Sequence, residues 1–291
     1  MRVVEIDKNL CTLCGICEQI CVRGIIALGQ DSAEITDDSV CIQCGHCRAV
    51  CPVDAPLLPL LDHTEFTPVA EKDDLPTTEQ FMNLIRSRRS IRQYKKTPIE
   101  KEKIDKIIEA GRFAPTGGNL QPLHHIVVTT PDVIDTVRNM TIDLLEAQAE
   151  LIAEAYRKHS EEGIPLPAAF VGRDRYIHVW REMARLNREG IDRLFYKAPC
   201  LVITHLNPLE AVTPDVDPGL AASQMTLMAE TLGLGTCFIG FLVFALAVSK
   251  QLREILQIPE GHRTPLSFVA GYPDVDFLKM VSRNPARVTW L

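Results

Sequence analysis

CTLCGICEQIC (residues 11–21) and CIQCGHCRAVCP (residues 41–52) are two copies of one pattern. In each copy three cysteines are spaced three residues apart and a fourth follows after four: Cys11, Cys14, Cys17 and Cys21, then Cys41, Cys44, Cys47 and Cys51. Gly15 recurs as Gly45. This is the ligand pattern of two [4Fe–4S] clusters, in which the fourth cysteine of each run ligates the other cluster. By that rule Cys11, Cys14, Cys17 and Cys51 hold one cluster, and Cys41, Cys44, Cys47 and Cys21 hold the second. A tetrahedral zinc takes two C-x-x-C pairs and leaves the third and fourth thiols of each run unexplained. Disulfides fit less well still, because Met1 to Leu10 has no apolar signal-peptide core and only Cys200 and Cys237 lie outside the runs. The two runs differ at one site: Val22 stands where the second run has Pro52. Val22 packing against its surroundings is the simpler reading. The alternative is a change in the local hydrogen bonding that tunes one cluster.

Outward from these runs, 291 residues suffice for two domains. The net charge of −7 disfavours nucleic acid as a partner. The first 62 residues hold four Arg or Lys and nine Asp or Glu, so the acidity gathers on the cysteine-bearing part, as a solvated face or a docking surface for a basic electron-transfer partner. The longest apolar stretch, Thr236 to Val248, contains Gly240, ends at Ser249-Lys250 and is too short to span a bilayer. The expectation is a protein of the reducing cytoplasm with no membrane partner.

Residues 1–61 form the cluster domain, with the clusters serving as its core. Residues 62–78 (DHTEFTPVAEKDDLPTT) read as a linker or wrapped arm. From residue 79 to 291 helical and strand patterns alternate. Helices are expected from Thr78-Glu79-Gln80, from Pro98 to about Gly111, over Asp132–His159, Asp174–Tyr196 and Pro218–Leu232. Strands are expected at His125–Thr129, Cys200–His205, Gly235–Phe241 and Ser267–Ala270. The pattern indicates an α+β domain on one central sheet flanked by helices.

Three segments of this second domain bear chemistry. Arg86-Ser87-Arg88-Arg89-Ser90-Ile91-Arg92 packs four guanidinium groups into seven residues and suits an anion such as phosphate; alone it also fits a solvated helix end. Ala114-Pro115-Thr116-Gly117-Gly118-Asn119-Leu120-Gln121-Pro122 allows close backbone approach to a flat ligand, with two amide side chains for a ring edge; alone it also fits an ordinary loop. Gly233-Leu234-Gly235-Thr236-Cys237-Phe238-Ile239-Gly240 marks a helix-to-strand turn where backbone comes close to something.

Together and in this order, with Gly271-Tyr272-Pro273 and Arg283-x-Pro285-x-Arg287-Val288-Thr289-Trp290 following, these segments resemble the FMN-dependent nitroreductase family over roughly Gln80 to Leu291. The N-terminal part resembles the bacterial-type 2[4Fe–4S] ferredoxin extension carried by some members. The resemblance implies an intertwined homodimer with FMN at the subunit interface. Arg88, Arg89 and Ser90 would reach the phosphate or ribityl chain, Arg92 the flavin N1/O2 edge, and Arg283 the phosphate. Pro115, Thr116, Gly117, Asn119 and Gln121 would come from the partner chain, and Ile239 and Gly240 would lie near flavin N5. Arg193 is a further basic candidate.

The implied activity is a flavin-dependent oxidoreductase. Electrons pass between two [4Fe–4S] clusters and FMN to reduce a small acceptor such as a nitroaromatic or quinone, with a ferredoxin or NAD(P)H as donor. No residue is assigned as catalytic, since the flavin carries the redox chemistry. Alternatives on the same cofactors are an enoate reductase, a reductive dehalogenase, or a redox sensor or carrier without a dedicated small substrate. Cys200 and Cys237 read as buried small hydrophobes, and His46, His124 and His125 as structural. Tyr156, Tyr176, Trp180 and Tyr196 read first as core or dimer packing, the alternative being that one or two of them line a substrate pocket.

Overall fold

Each cysteine run folds the same way. Leu13 and Gln43 take left-handed backbone (φ 56° and 51°), and so do Gly15 and Gly45 (φ 77° and 73°). The two glycines start the short helices α1 (Ile16–Ile20) and α2 (His46–Ala49). The repeated left-handed steps curl each C-x-x-C loop, and glycine meets the second of them without a Cβ penalty. Around the loops run β1 (Glu5–Ile6), paired antiparallel with β4 (Pro56–Leu57), and β2 (Ile26–Leu28), paired antiparallel with β3 (Ala33–Ile35).

The computed structural model describes residues 2–291, which divide into two compact units: residues 2–76 with 118–120, and residues 77–117 with 121–291. The first unit has a small core of Val4, Ile25, Ile26, Ala33 and Leu58, with Cys11, Cys17, Cys21, Cys41 and Cys47 packed on it. The start of the expected linker wraps this unit, since Leu61 and Phe66 join the same cluster and Arg48 lies over the Phe66 ring. Val22, expected to pack, is 72% exposed.

The second unit begins with α3 (Thr78–Ser87), closed by a capping box between Thr77 and Gln80. After it come α4 (Lys101–Arg112), β5 (His124–Val128), the 32-residue α5 (Pro131–Glu162), α6 (Arg175–Arg188) and β6 (Cys200–Leu206). The chain ends with α7 (Asp217–Thr231), β7 (Gly235–Phe238), α8 (Gly240–Val248), α9 (Lys250–Ile255) and β8 (Arg263–Gly271). The sheet order is β5-β6-β8-β7, every pair antiparallel.

The central strands bury both faces, and alternate residues go to opposite sides. Leu201, Ile203 and Val269 join the core under α5, α6 and α8, whereas Cys200, Val202, Phe268 and Ala270 join the core under α4 and α7. Pro265, which has no amide hydrogen to donate, falls at the register shift between Thr204 and Leu206, where a proline costs no ladder bond.

Two expected elements change. The helix foreseen over Asp174–Tyr196 stops at Arg188, because Gly190 turns left-handed (φ 79°) and the Asp192 carboxylate takes the amides of Leu194, Phe195 and Lys197 at 2.9, 2.8 and 2.8 Å. The strand foreseen over Gly235–Phe241 ends at Phe238, and Gly240 opens α8.

Candidate functional site

Within the first unit, Cys21, Cys41, Cys44 and Cys47 line one cavity. This is the set that the crossed rule assigns to one cluster. Burial pushes the Cys47 thiol up to about 11, and the Cys17 thiol is raised by burial as well. Such thiols release protons when they ligate iron, so cluster assembly and folding are linked. Backbone amides point at two sulfurs of the other set: Ala33 N donates to Cys11 Sγ and Ala55 N to Cys51 Sγ, both at 3.3 Å. Among the described residues no three His, Cys, Asp or Glu side chains stand close enough to share one metal ion.

In the second unit the arginine segment leaves α3 and runs beside β7. Ser90 bridges Thr236 in parallel, Ile91 N donates to Thr236 O at 2.9 Å, and Lys95 N donates to Tyr272 O at 2.9 Å. Gly235 makes this approach possible: a Cβ there would stand 2.3 Å from Ile91 Cγ1. Extended backbone alternates its side chains. Arg88, Ser90 and Arg92 gather around the Cys237 thiol, which burial pushes up against the opposing effect of those three groups. Arg89 and Ile91 face a second cavity of about 410 Å³, where Arg89 lies over the Phe277 ring at 5.4 Å.

Arg92, Arg193, Tyr196, Cys237, Ile239 and Gly240 line a cavity of about 600 Å³, together with His178 and Glu182 of α6. Ile239 is fixed there by its amide on Ser267 O and by the Ser267 hydroxyl on its carbonyl, both 2.9 Å. The first-turn amides of α8 begin at Gly240 and have no carbonyl one turn back to bond.

The loop residues take other places. Gly117 N donates to Asp217 Oδ1 at 3.2 Å and Gln121 N to Thr116 Oγ1 at 3.0 Å. The Asn119 amide, within the first unit, donates to the carbonyls of Ile42 and Gln43 at 3.0 Å each. None of Pro115, Thr116, Gly117, Asn119 or Gln121 lines the Arg92 cavity. Arg283 is exposed, with Nη1 on Ser282 O at 3.2 Å.

Among the described residues none of Arg86, Arg88, Arg89, Arg92 and Arg193 pairs with a carboxylate. Tyr94, near Arg92 and Cys237, has a buried hydroxyl without a partner. Uncompensated guanidinium groups beside a partly apolar cavity suit a planar ligand that carries negative charge. The residues present therefore fit FMN.

Residues 85–272 match the Nitroreductase family, and residues 34–57 match the 4Fe-4S binding domain. This chain belongs to the nitroreductase family. An Archaeoglobus fulgidus protein, named provisionally as an NADH dehydrogenase/NAD(P)H nitroreductase, is 43% identical over 72% of this chain and 97% of its own. The iodotyrosine deiodinase of Danio rerio is 31% identical over 74% of this chain and 68% of its own. A Bacteroides fragilis nitroreductase solved with bound FMN aligns with TM-score 0.54 and 22% identity, covering 74% of this chain and all of that one, which supports the nitroreductase fold. Among the described residues no helix is long and apolar enough to cross a membrane.

The structure puts Tyr196 in the wall of the Arg92 cavity, the lesser of the two readings the sequence offered for it. Asp192, which lies outside every motif and caps the turn that carries Tyr196, escaped the sequence reading. The only signal is Asp192 five residues before Lys197, at the distance from which one carboxylate caps a tight turn.

Proposed function

We propose that this chain is an oxidoreductase that binds FMN beside Arg88, Ser90 and Arg92, holds two [4Fe–4S] clusters on its eight N-terminal-domain cysteines, and reduces a small nitroaromatic or quinone. The observation that carries the flavin assignment is the unpaired arginine segment running beside β7 to the Ile239–Gly240 turn. The guanidinium of Arg92 would stabilise negative charge at a flavin ring edge, Arg88 and Ser90 would bind the phosphate or ribityl chain, and the α8 amides at Gly240 would orient the ring. FMN, when bound, supplies one- and two-electron chemistry in one group. The clusters deliver electrons singly, and the acidic face of their domain suits a basic donor protein.

A homodimer completes this reading. Phe81, Met82 and Ile85 of α3 are 45%, 46% and 42% exposed, and Leu278 and Trp290 of the C-terminal segment are 93% and 91% exposed. A second copy would cover this apolar surface and bring its own Pro115–Gln121 loop and Arg283 towards the flavin. Reductive removal of a halide is the second reading, favoured by the 31% identity to a deiodinase.

The test uses Arg88→Ala, Cys14→Ala and the wild type, purified without oxygen. Arg88→Ala should lose most of its flavin and keep its iron. Cys14→Ala should keep flavin and lose reduction by a low-potential donor while sparing any reduction by NADH. Full flavin in Arg88→Ala would overturn the cavity assignment, and equal loss of both donor routes in Cys14→Ala would overturn the electron path. A panel of nitroaromatics, quinones and halophenols then ranks the two acceptor readings.

A further inference from the structure

Tyr196 and Lys197 are consecutive non-glycine residues in left-handed backbone, with φ 58° and 57°. Such conformations persist where surroundings over-determine them, and they concentrate at sites of function. The over-determination is visible here. The Asp192 side chain is only 3% exposed, and its two oxygens take the amides of Leu194, Phe195 and Lys197. Leu194 and Phe195 are buried at 2% and 0%. The result of this turn is to set the Tyr196 ring into the wall of the Arg92 cavity, 5.9 Å from the guanidinium carbon, alongside Ile239 and Gly240.

Resting on the flavin reading above, we propose that the Tyr196 hydroxyl is the proton donor to an acceptor that carries a carbonyl or nitro oxygen, and that Asp192 is its positioning residue. For a quinone the step balances as one hydride from the reduced flavin and one proton from Tyr196. The phenol O–H bond breaks, an O–H bond forms on the acceptor, and the phenolate left beside Arg92 regains a proton from water. For a nitro group the same two transfers give a nitroso group and water. The groups around the hydroxyl are Arg92, Tyr94 and Cys237, with Asp192 behind the turn and Arg193, His178 and Glu182 on the cavity wall. Burial holds the phenol above its usual range, so it stays protonated at neutral pH.

Ferricyanide separates the claims, because it takes electrons without protons. Flavin-loaded wild type and Tyr196→Phe, reduced chemically, are mixed in single turnovers with ferricyanide and with a benzoquinone. The phenylalanine keeps the ring, so flavin content and ferricyanide rate should stay at wild-type values while the quinone rate falls about 10²-fold or more. The wild-type quinone rate should show a solvent deuterium isotope effect, and ultraviolet titration should show one late-ionising phenol fewer in the variant. Asp192→Asn, which keeps one acceptor oxygen, should lower the quinone rate less than Asp192→Ala. A variant that reduces quinone at the wild-type rate, or a wild type without the isotope effect, overturns the proposal while leaving the flavin reading intact. A wild type that binds no flavin and does not reduce ferricyanide overturns the flavin reading, and the proposal falls with it.

Discussion

Gly235→Ala should loosen the flavin segment by a clash that can be worked out atom by atom. The added Cβ would stand 2.3 Å from Ile91 Cγ1, 2.8 Å from Ile91 Cβ and 3.1 Å from Cγ2. Rotating the Ile91 side chain moves Cγ1 but not Cβ, and a β-branched residue has few rotamers to offer. The Ile91 backbone is held in turn by its amide on Thr236 O at 2.9 Å. Relief therefore requires the segment to move off β7, taking Ser90 and Arg92 with it. Overpacking of this kind costs about 1–3 kcal/mol. The lower chain entropy of alanine returns about 0.4–1 kcal/mol, leaving roughly 1–2 kcal/mol. For a unit of this size that lowers Tm by about 2–8 °C. If the same shift is felt at the cavity, flavin affinity falls about tenfold. Thermal melting by circular dichroism and flavin retained after gel filtration measure both. Ile91→Ala removes two of the three clashing atoms, so the double variant should lose less than the sum of the singles. A Gly235→Ala protein that melts within a degree of wild type and keeps its flavin would refute the clamp of Arg88, Ser90 and Arg92 against β7.

Further outcomes follow from the same geometry. Asp192→Ala strips three amides of their acceptor and releases the strained turn, and should destabilise by about 2–4 kcal/mol, read as a lower urea midpoint. His205 is held down to about 4 by burial and by the nearby His124, His262, His125 and Arg253. Its folded value lies below the usual one of about 6.5, so the unfolded chain binds the proton more readily and stability falls as pH drops from about 6.5 towards 4. Urea midpoints at pH 7 and pH 5 should differ more in wild type than in His205→Asn; an identical difference in both would remove His205 from the account. Sedimentation should give a dimer, with a shift towards monomer in Phe81→Asp, Ile85→Asp.

The cluster domain was legible because its ligands recur at a short fixed spacing that only the metal explains. The cores of β6 and β8 were legible because strands buried on both faces carry short apolar runs, Cys200–Ile203 and Phe268–Ala270, whereas the polar start of β8 at Arg263 was not. α4 and α5 were legible from their length and periodicity, and α7 from its Ala-, Met- and Leu-rich, nearly uncharged composition. Strand order and direction were not, since an antiparallel sheet with long helical crossovers carries no local mark of its partners. The end of α6 depended on a carboxylate capping a turn through tertiary burial, which spacing does not reveal. The same holds for Tyr196, whose placement follows from the two left-handed residues and not from any motif. Arg88, Arg89 and Ser90 read as one patch, yet extended backbone puts Arg89 on the opposite side from its neighbours.

The central claim is a chain that joins two iron–sulfur clusters to a flavin, and its most direct test is iron, acid-labile sulfide and released flavin per chain after purification without oxygen. The account predicts about eight irons and eight sulfides, as two [4Fe–4S] clusters require, with one FMN. Four irons would cut the cluster count to one. Iron and sulfide without flavin, or flavin with no iron even after anaerobic reconstitution, would contradict the electron path from clusters to cavity.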